Sequence, residues 1–283
     1  MPMSDQPSWR DQNRAMWDAK TPLHLVSPTY DVPGFKAGRT TLRRHEIEDL
    51  GDMTGQDLIH LQCHIGLDTL SLARLGARVT GVDFSEPAVR AAAELARDIG
   101  IDATFVTSDV YDAPAAVNHR TFDIVYTGVG ALCWIPDMER WARVVHDLLR
   151  PGGQLYLFEF HPVKWMIEGS APHGIEILDN YFTPPEGYRE AGAVTYADTS
   201  IASAATPTVQ WNHPFGEVVT ALAQTGLRIE SLRELDRDVL GLWDGMERTE
   251  DGMWRMPPDT PSVPLMYVLR AHREIQATAT AAG

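Results

Sequence analysis

Three stretches of the chain place acids and a glycine where a nucleoside could be held. In the first, Leu61-Gln62-Cys63-His64-Ile65-Gly66, an apolar run passes into a segment of helical period. Backbone amides at such a helix start favour anions or carboxylates, and Gly66 permits close approach to the backbone. In the second, Asp83 closes an apolar run at the spacing expected of an acid that grasps two ribose hydroxyls, and Phe84 beside it offers adenine a flat face. In the third, Thr107-Ser108-Asp109-Val110, another carboxylate stands where it could accept a hydrogen bond from an exocyclic amine. Together they describe a nucleoside pocket.

Other chemistries fit less well. The chain lacks the G-x-G-x-x-G pattern of a nicotinamide dinucleotide site and the G-x-S-x-G elbow of a hydrolase. His60, Cys63 and His64 suggest a small metal cluster, but residues leaving a strand point to opposite faces and no further ligands follow nearby, so no metal is expected. Cys63 as a nucleophile has no identifiable base. Two more residues lie at later apolar runs: Trp134 is a candidate acceptor contact, and His161 is a candidate base or acceptor contact, with a structural histidine as its alternative.

Holding these residues together requires a regular frame. Short runs rich in Val, Ile and Leu predict strands over 58–61, 78–82, 103–107, 122–126 and 154–160, alternating with helical patterns. One helix starts past Gly66, another is opened by Ser85 with Pro87 in its first turn, and a third starts near Asp137 with Trp141 on its apolar face. A helix over 216–225 and strands over 227–233 and 264–270 complete the set. Strand and helix in alternation imply a doubly wound, mostly parallel sheet whose ligand lies at the carboxyl ends of the strands. Residues 1–50 form an arm or lid with one helix around 11–19 and an irregular stretch after it. Two insertions, 161–213 and 236–262, interrupt a main domain over 51–273 and suggest a cap; 274–283 reads as a frayed tail.

The block resembles a class I S-adenosylmethionine-dependent methyltransferase. The resemblance rests on LIHLQCHIGLDTLSLARLGARVTGVDFSEPAV, FVTSDVYDAP, FDIVYTGVGALCWIPD and LLRPGGQLYLFEF, with GEVVTALAQTGLRIESLRE and VPLMYVLRA after them. It implies a seven-stranded sheet of order 3-2-1-4-5-7-6 and S-adenosyl-L-methionine as cofactor. Carried over by position, it assigns Gln62, Cys63, His64 and Gly66 to the turn at the methionine part and Asp83 to ribose. Phe84, Asp109 and Val110 fall at adenine, and Thr127 near the methionine amino group. The chain departs from the family where His60 replaces an acid in the first strand and Gln62 and His64 replace glycines in the turn. His64 then falls at the reaction centre as a second candidate base.

Composition narrows the acceptor. The 283 residues hold 24 Lys+Arg against 39 Asp+Glu, a net charge of −15, which argues against nucleic acid as a partner. After the fourth strand comes Thr127-Gly128-Val129-Gly130, not the Asn/Asp-Pro-Pro-aromatic turn that resembling enzymes use on base or amide nitrogens. Tryptophans in the arm and insertions suit a small, largely apolar molecule. Two cysteines, no signal-peptide pattern and no long apolar run suggest a cytoplasmic protein away from membranes. Two other readings stay open: an enzyme that uses another carbon of the same cofactor (cyclase or propyl transferase), and a protein that binds the cofactor without catalysis.

Overall fold

The computed structural model describes residues 8–170, 174–195 and 198–275. Its frame is a seven-stranded sheet: β1 (Asp57–Leu61), β2 (Arg78–Asp83), β3 (Ala103–Thr107), β4 (Phe122–Thr127), β5 (Leu149–Phe160), β6 (Leu227–Leu235) and β7 (Met266–Arg273). In these labels the order is 3-2-1-4-5-7-6, as the resemblance implied. The first five strands pair in parallel, and β7 runs antiparallel between β5 and β6.

The apolar runs follow from burial on both faces. Leu58 and Ile124 point into one core cluster, whereas Ile59, Leu61 and Val125 point into the other, as the two-residue period of a strand requires. Helices cover both faces: α1 (Trp9–Val26), α2 (Val32–Lys36), α3 (Arg44–Leu50), α4 (Leu67–Arg74), α5 (Glu86–Asp98), α6 (Met138–Leu148) and α7 (Phe215–Gln224). Ser85 caps α5 by accepting from the Ala88 N–H, and Asp137 caps α6 by accepting from Arg140. Trp141 on α6 is fully buried, the core role its helical spacing favoured.

The arm and cap differ from the sequence reading. The helix expected over 11–19 extends to Val26 and runs through Pro22. Packing overrides the local signal, because Met16, Thr21 and His24 on that helix are all buried. The first insertion contains an antiparallel hairpin, Tyr188–Thr195 with Asp198–Gln210, and the second a small three-stranded sheet. Asn13 on α1 fastens helix to hairpin: its Nδ2 donates to the Val209 carbonyl and its Oδ1 accepts from the Val209 N–H, both at 2.8 Å. Trp9 packs edge-on against Trp211 at 5.5 Å. Most of the tail, 276–283, lies outside the described residues. Among the described residues no helix is long and apolar enough to cross a membrane.

Candidate active site

The turn from β1 into α4 gathers the first group. Gln62 and His64 adopt left-handed backbone angles, φ 57° and 51°, and Gly66 follows with φ 76°. Non-glycine residues at such angles are strained by about 1 kcal/mol each, so the surroundings must hold them there. They do: the Cys63 N–H donates to Val82 at 3.0 Å, and Gly66 donates back to Cys63 at 2.9 Å. Gly66 itself cannot carry a side chain, since a Cβ there would lie 2.8 Å from Ala92 Cβ and 2.9 Å from the Phe105 ring.

Asp83 closes the turn from the next strand. Its Oδ2 accepts from the His64 N–H at 2.8 Å and its Oδ1 from the Ser85 N–H at 2.9 Å. Burial pushes the carboxyl up to about 6; the Ser85 and His64 amides oppose the shift, while Asp18 adds to it. Asp109 opens a short helical turn, accepting from the Tyr111 N–H through Oδ1 at 2.9 Å, and Val110 behind it is buried. Thr127, at the tip of β4, is fully buried. Cys63 is buried as well, and burial raises its thiol far above the ordinary range, which removes it as a nucleophile.

The sequence reading missed how α1 lies along this row. Arg10 Nε pairs with Asp109 Oδ2 at 2.7 Å. The Arg14 guanidinium stands 5.9 Å from the centre of the Phe84 ring, and Asp18 Oδ1 accepts from the Ser85 hydroxyl at 2.6 Å. His24 Nδ1 lies 3.1 Å from His64 Nε2, and Trp17 packs between the rings of His64 and Trp134 at 5.2 and 5.3 Å. Tyr30 stacks on His24 at 4.9 Å. The four-residue spacing of Arg10, Arg14 and Asp18 was the available signal, since it puts them on one helix face. Desolvation lowers His64 to about 3 and His24 to about 4, so both rings are neutral.

His161 does not join this group. It caps the turn after β5, its Nδ1 accepting from the Val163 N–H at 3.2 Å, while Nε2 meets Glu234 of β6 at 2.9 Å. Both ring nitrogens are committed, which is the structural alternative. His60 also faces inward, Nδ1 to the Thr69 hydroxyl at 2.8 Å. Among the described residues no three His, Cys, Asp or Glu side chains converge as metal ligands.

Residues 59–155 match the sequence family described as a methyltransferase domain. That stretch, about a third of the chain, is therefore similar to a methyltransferase domain. The chain is 26% identical over 198 residues to a ubiquinone biosynthesis O-methyltransferase of Methylobacterium, covering 65% of this chain and 78% of that protein. It is 30% identical to the enzyme of that name from Xanthomonas euvesicatoria, covering 50% of this chain and 54% of the relative, so it spans about half of that protein's length. Among solved structures, an S-adenosylmethionine-dependent methyltransferase from Mesorhizobium loti superposes with TM-score 0.56 at 20% identity, over 81% of this chain and 96% of the other. At that identity the superposition speaks for the fold.

The residues present fit S-adenosylmethionine as a cofactor. Two buried acceptor atoms at adjacent strand tips, Gln62 Oε1 and Thr127 Oγ1, have no hydrogen-bond partner. Buried acceptors are normally satisfied, and an orphaned pair beside the turn suits a donor such as the ammonium of a methionine moiety.

Proposed function

We propose that the chain transfers the methyl group of S-adenosyl-L-methionine to a hydroxyl oxygen of a small aromatic molecule held under α1. The cofactor supplies a methyl carbon on a sulfonium, already bound to a good leaving group. What remains for the protein is alignment and exclusion of water, which in such reactions supply most of the rate.

On this reading Asp83 holds the ribose, with Phe84, Asp109 and Val110 around adenine, and Gln62, Cys63, His64, Gly66 and Thr127 surround the methionine end. Trp17, Tyr30 and Trp134 make flat walls for the acceptor. His64 takes the hydroxyl proton and shares it with His24 across their 3.1 Å contact. Burial disfavours an imidazolium there, so the proton moves in step with the methyl rather than ahead of it. Oxygen as accepting atom draws support from the relatives named O-methyltransferases, and a small acceptor rather than nucleic acid from the charge of −15.

The observation that carries the reading is the junction of turn and acid: a left-handed, non-glycine turn that delivers a backbone N–H onto Asp83, with the two orphaned acceptors beside it. The test is turnover with a panel of phenolic small molecules, read by mass spectrometry of the spent cofactor. S-adenosylhomocysteine is the expected product, whereas methylthioadenosine would mean attack at another carbon and replace the reading with the cyclase or propyl-transfer one. Within that assay His64→Gln should slow turnover at saturating cofactor and His161→Gln should leave it unchanged.

A further inference from the structure

Glu159, near the end of β5, is a buried carboxylate that bonds no cation among the described residues. Its Oε1 accepts from the Gly130 and Phe160 N–H groups, both at 2.7 Å, and its Oε2 from Ala131 at 2.8 Å and Leu132 at 3.0 Å. Four charge-assisted bonds at 4% exposure fix the peptide run 130–132 after β4. The carbonyl in that run, Ala131, accepts from Gln62 Nε2 at 2.8 Å.

The two ends of a glutamine amide are close in size but opposite in chemistry. Here the Ala131 carbonyl decides between them: a flipped amide would set two oxygens against each other. With Nε2 spent on Ala131, Oε1 is left as the buried atom without a partner. The chain has His60 where resembling enzymes carry a first-strand acid, and His60 is neutral and bonded to Thr69. His60 thus offers no anionic acceptor in the first strand, and the unpartnered acceptor in the turn itself is Gln62 Oε1.

We propose that Glu159 is a positioning residue that, through the Ala131 carbonyl, turns the Gln62 amide so that its oxygen receives the ammonium of the cofactor's amino-acid tail. This rests on the reading that S-adenosylmethionine occupies the site. Gln62 does the work of the missing acid, and Glu159 sets its polarity without touching the ligand.

Two ligands separate this from mere support of the loop: S-adenosylhomocysteine, which carries the ammonium, and methylthioadenosine, which keeps the nucleoside and sulfur but lacks the tail. Calorimetric titration of the whole chain should show Gln62→Leu and Glu159→Gln each weakening S-adenosylhomocysteine about tenfold, the scale of one hydrogen bond to a charged group. Methylthioadenosine should change less than twofold, and the double variant should bind no worse than the weaker single one. Equal losses for both ligands, additive losses, or undiminished S-adenosylhomocysteine binding by Gln62→Leu would overturn the proposal. Failure of the unaltered protein to bind either ligand would instead sink the cofactor reading. Should Glu159→Gln not fold, Glu159→Asp, which keeps the anion and shortens its reach, carries the same expectation.

Discussion

The backbone N–H of His64 donates to the carboxylate of Asp83 at 2.8 Å, so the strained turn after β1 and the acid at the tip of β2 are one unit. The unit titrates within reach of ordinary buffers. Burial lifts Asp83 to about 6, and below that pH the carboxyl carries a proton and loses its power to accept from two hydroxyls at once. Affinity for S-adenosylhomocysteine should therefore fall as pH drops from 7 to 5, approaching about tenfold per pH unit below 6. Asp83→Asn should bind weakly with no such slope. A flat wild-type profile in calorimetric titrations across that range would refute the assignment of the acid.

Arg10 occupies one oxygen of Asp109, the acid proposed to meet an adenine amine. With Asp109 Oδ2 held by the guanidinium at 2.7 Å, an adenine amino group proposed to bind there competes with Arg10 for the same carboxylate. Arg10→Ala should speed association of S-adenosylhomocysteine in stopped-flow mixing by up to about fivefold, the range expected of one partly exposed ion pair. Slower association would mean that Arg10 belongs to the binding wall instead.

A second carboxylate links pH to stability. Glu46 is buried, accepts from the Tyr126 hydroxyl at 2.6 Å and from the Arg43 N–H at 2.7 Å, and burial raises it to about 7. A raised acid stabilises the fold fully below its unfolded value near 4.5, and that contribution is lost as pH rises through 7. Glu46→Gln cannot ionise, and its amide can donate to Tyr126 while accepting from Arg43. Its stability relative to the wild type should rise by about 2–3 kcal/mol between pH 5 and 8 in urea titrations. A constant difference over that range would rule out Glu46 as the titrating group.

Lys164 and Asp238 form an ion pair between the two insertions, 2.5 Å apart at 1% and 0% side-chain exposure. Burial lowers the lysine and raises the aspartate, each opposed by its partner. Lys164→Met alone should cost about 3–5 kcal/mol by stranding the acid, while adding Asp238→Leu should recover most of it. The double variant being the less stable of the two would contradict this.

The frame was legible because parallel strands buried on both faces are written as apolar runs, and Asp83 and Asp109 fall just past two of them. Position past a strand identifies the end of the sheet but not which way a ring turns. His161 was read as a candidate base for that reason, yet its partner Glu234 arrives from β6 and could not be seen from β5. Arg10, Asp18 and His24 were opaque for the same cause: the four-residue spacing groups Arg10, Arg14 and Asp18 on one face of α1, but their partners lie far along the chain, and spacing does not say what that face meets. The extension of α1 through Pro22 shows burial overruling a residue that locally argues for a stop.

Asn13 gives α1 the hydrogen-bonding pattern of an additional strand toward Val209, so helix and hairpin travel together. The two pieces then form one structural unit that any redesign must treat together. Exchanging both pieces in one graft would keep their shared amide contact intact, but it would also replace Arg10, Arg14 and Asp18, which reach Asp109, Phe84 and Ser85. Swapping either piece alone would cut the seam between them.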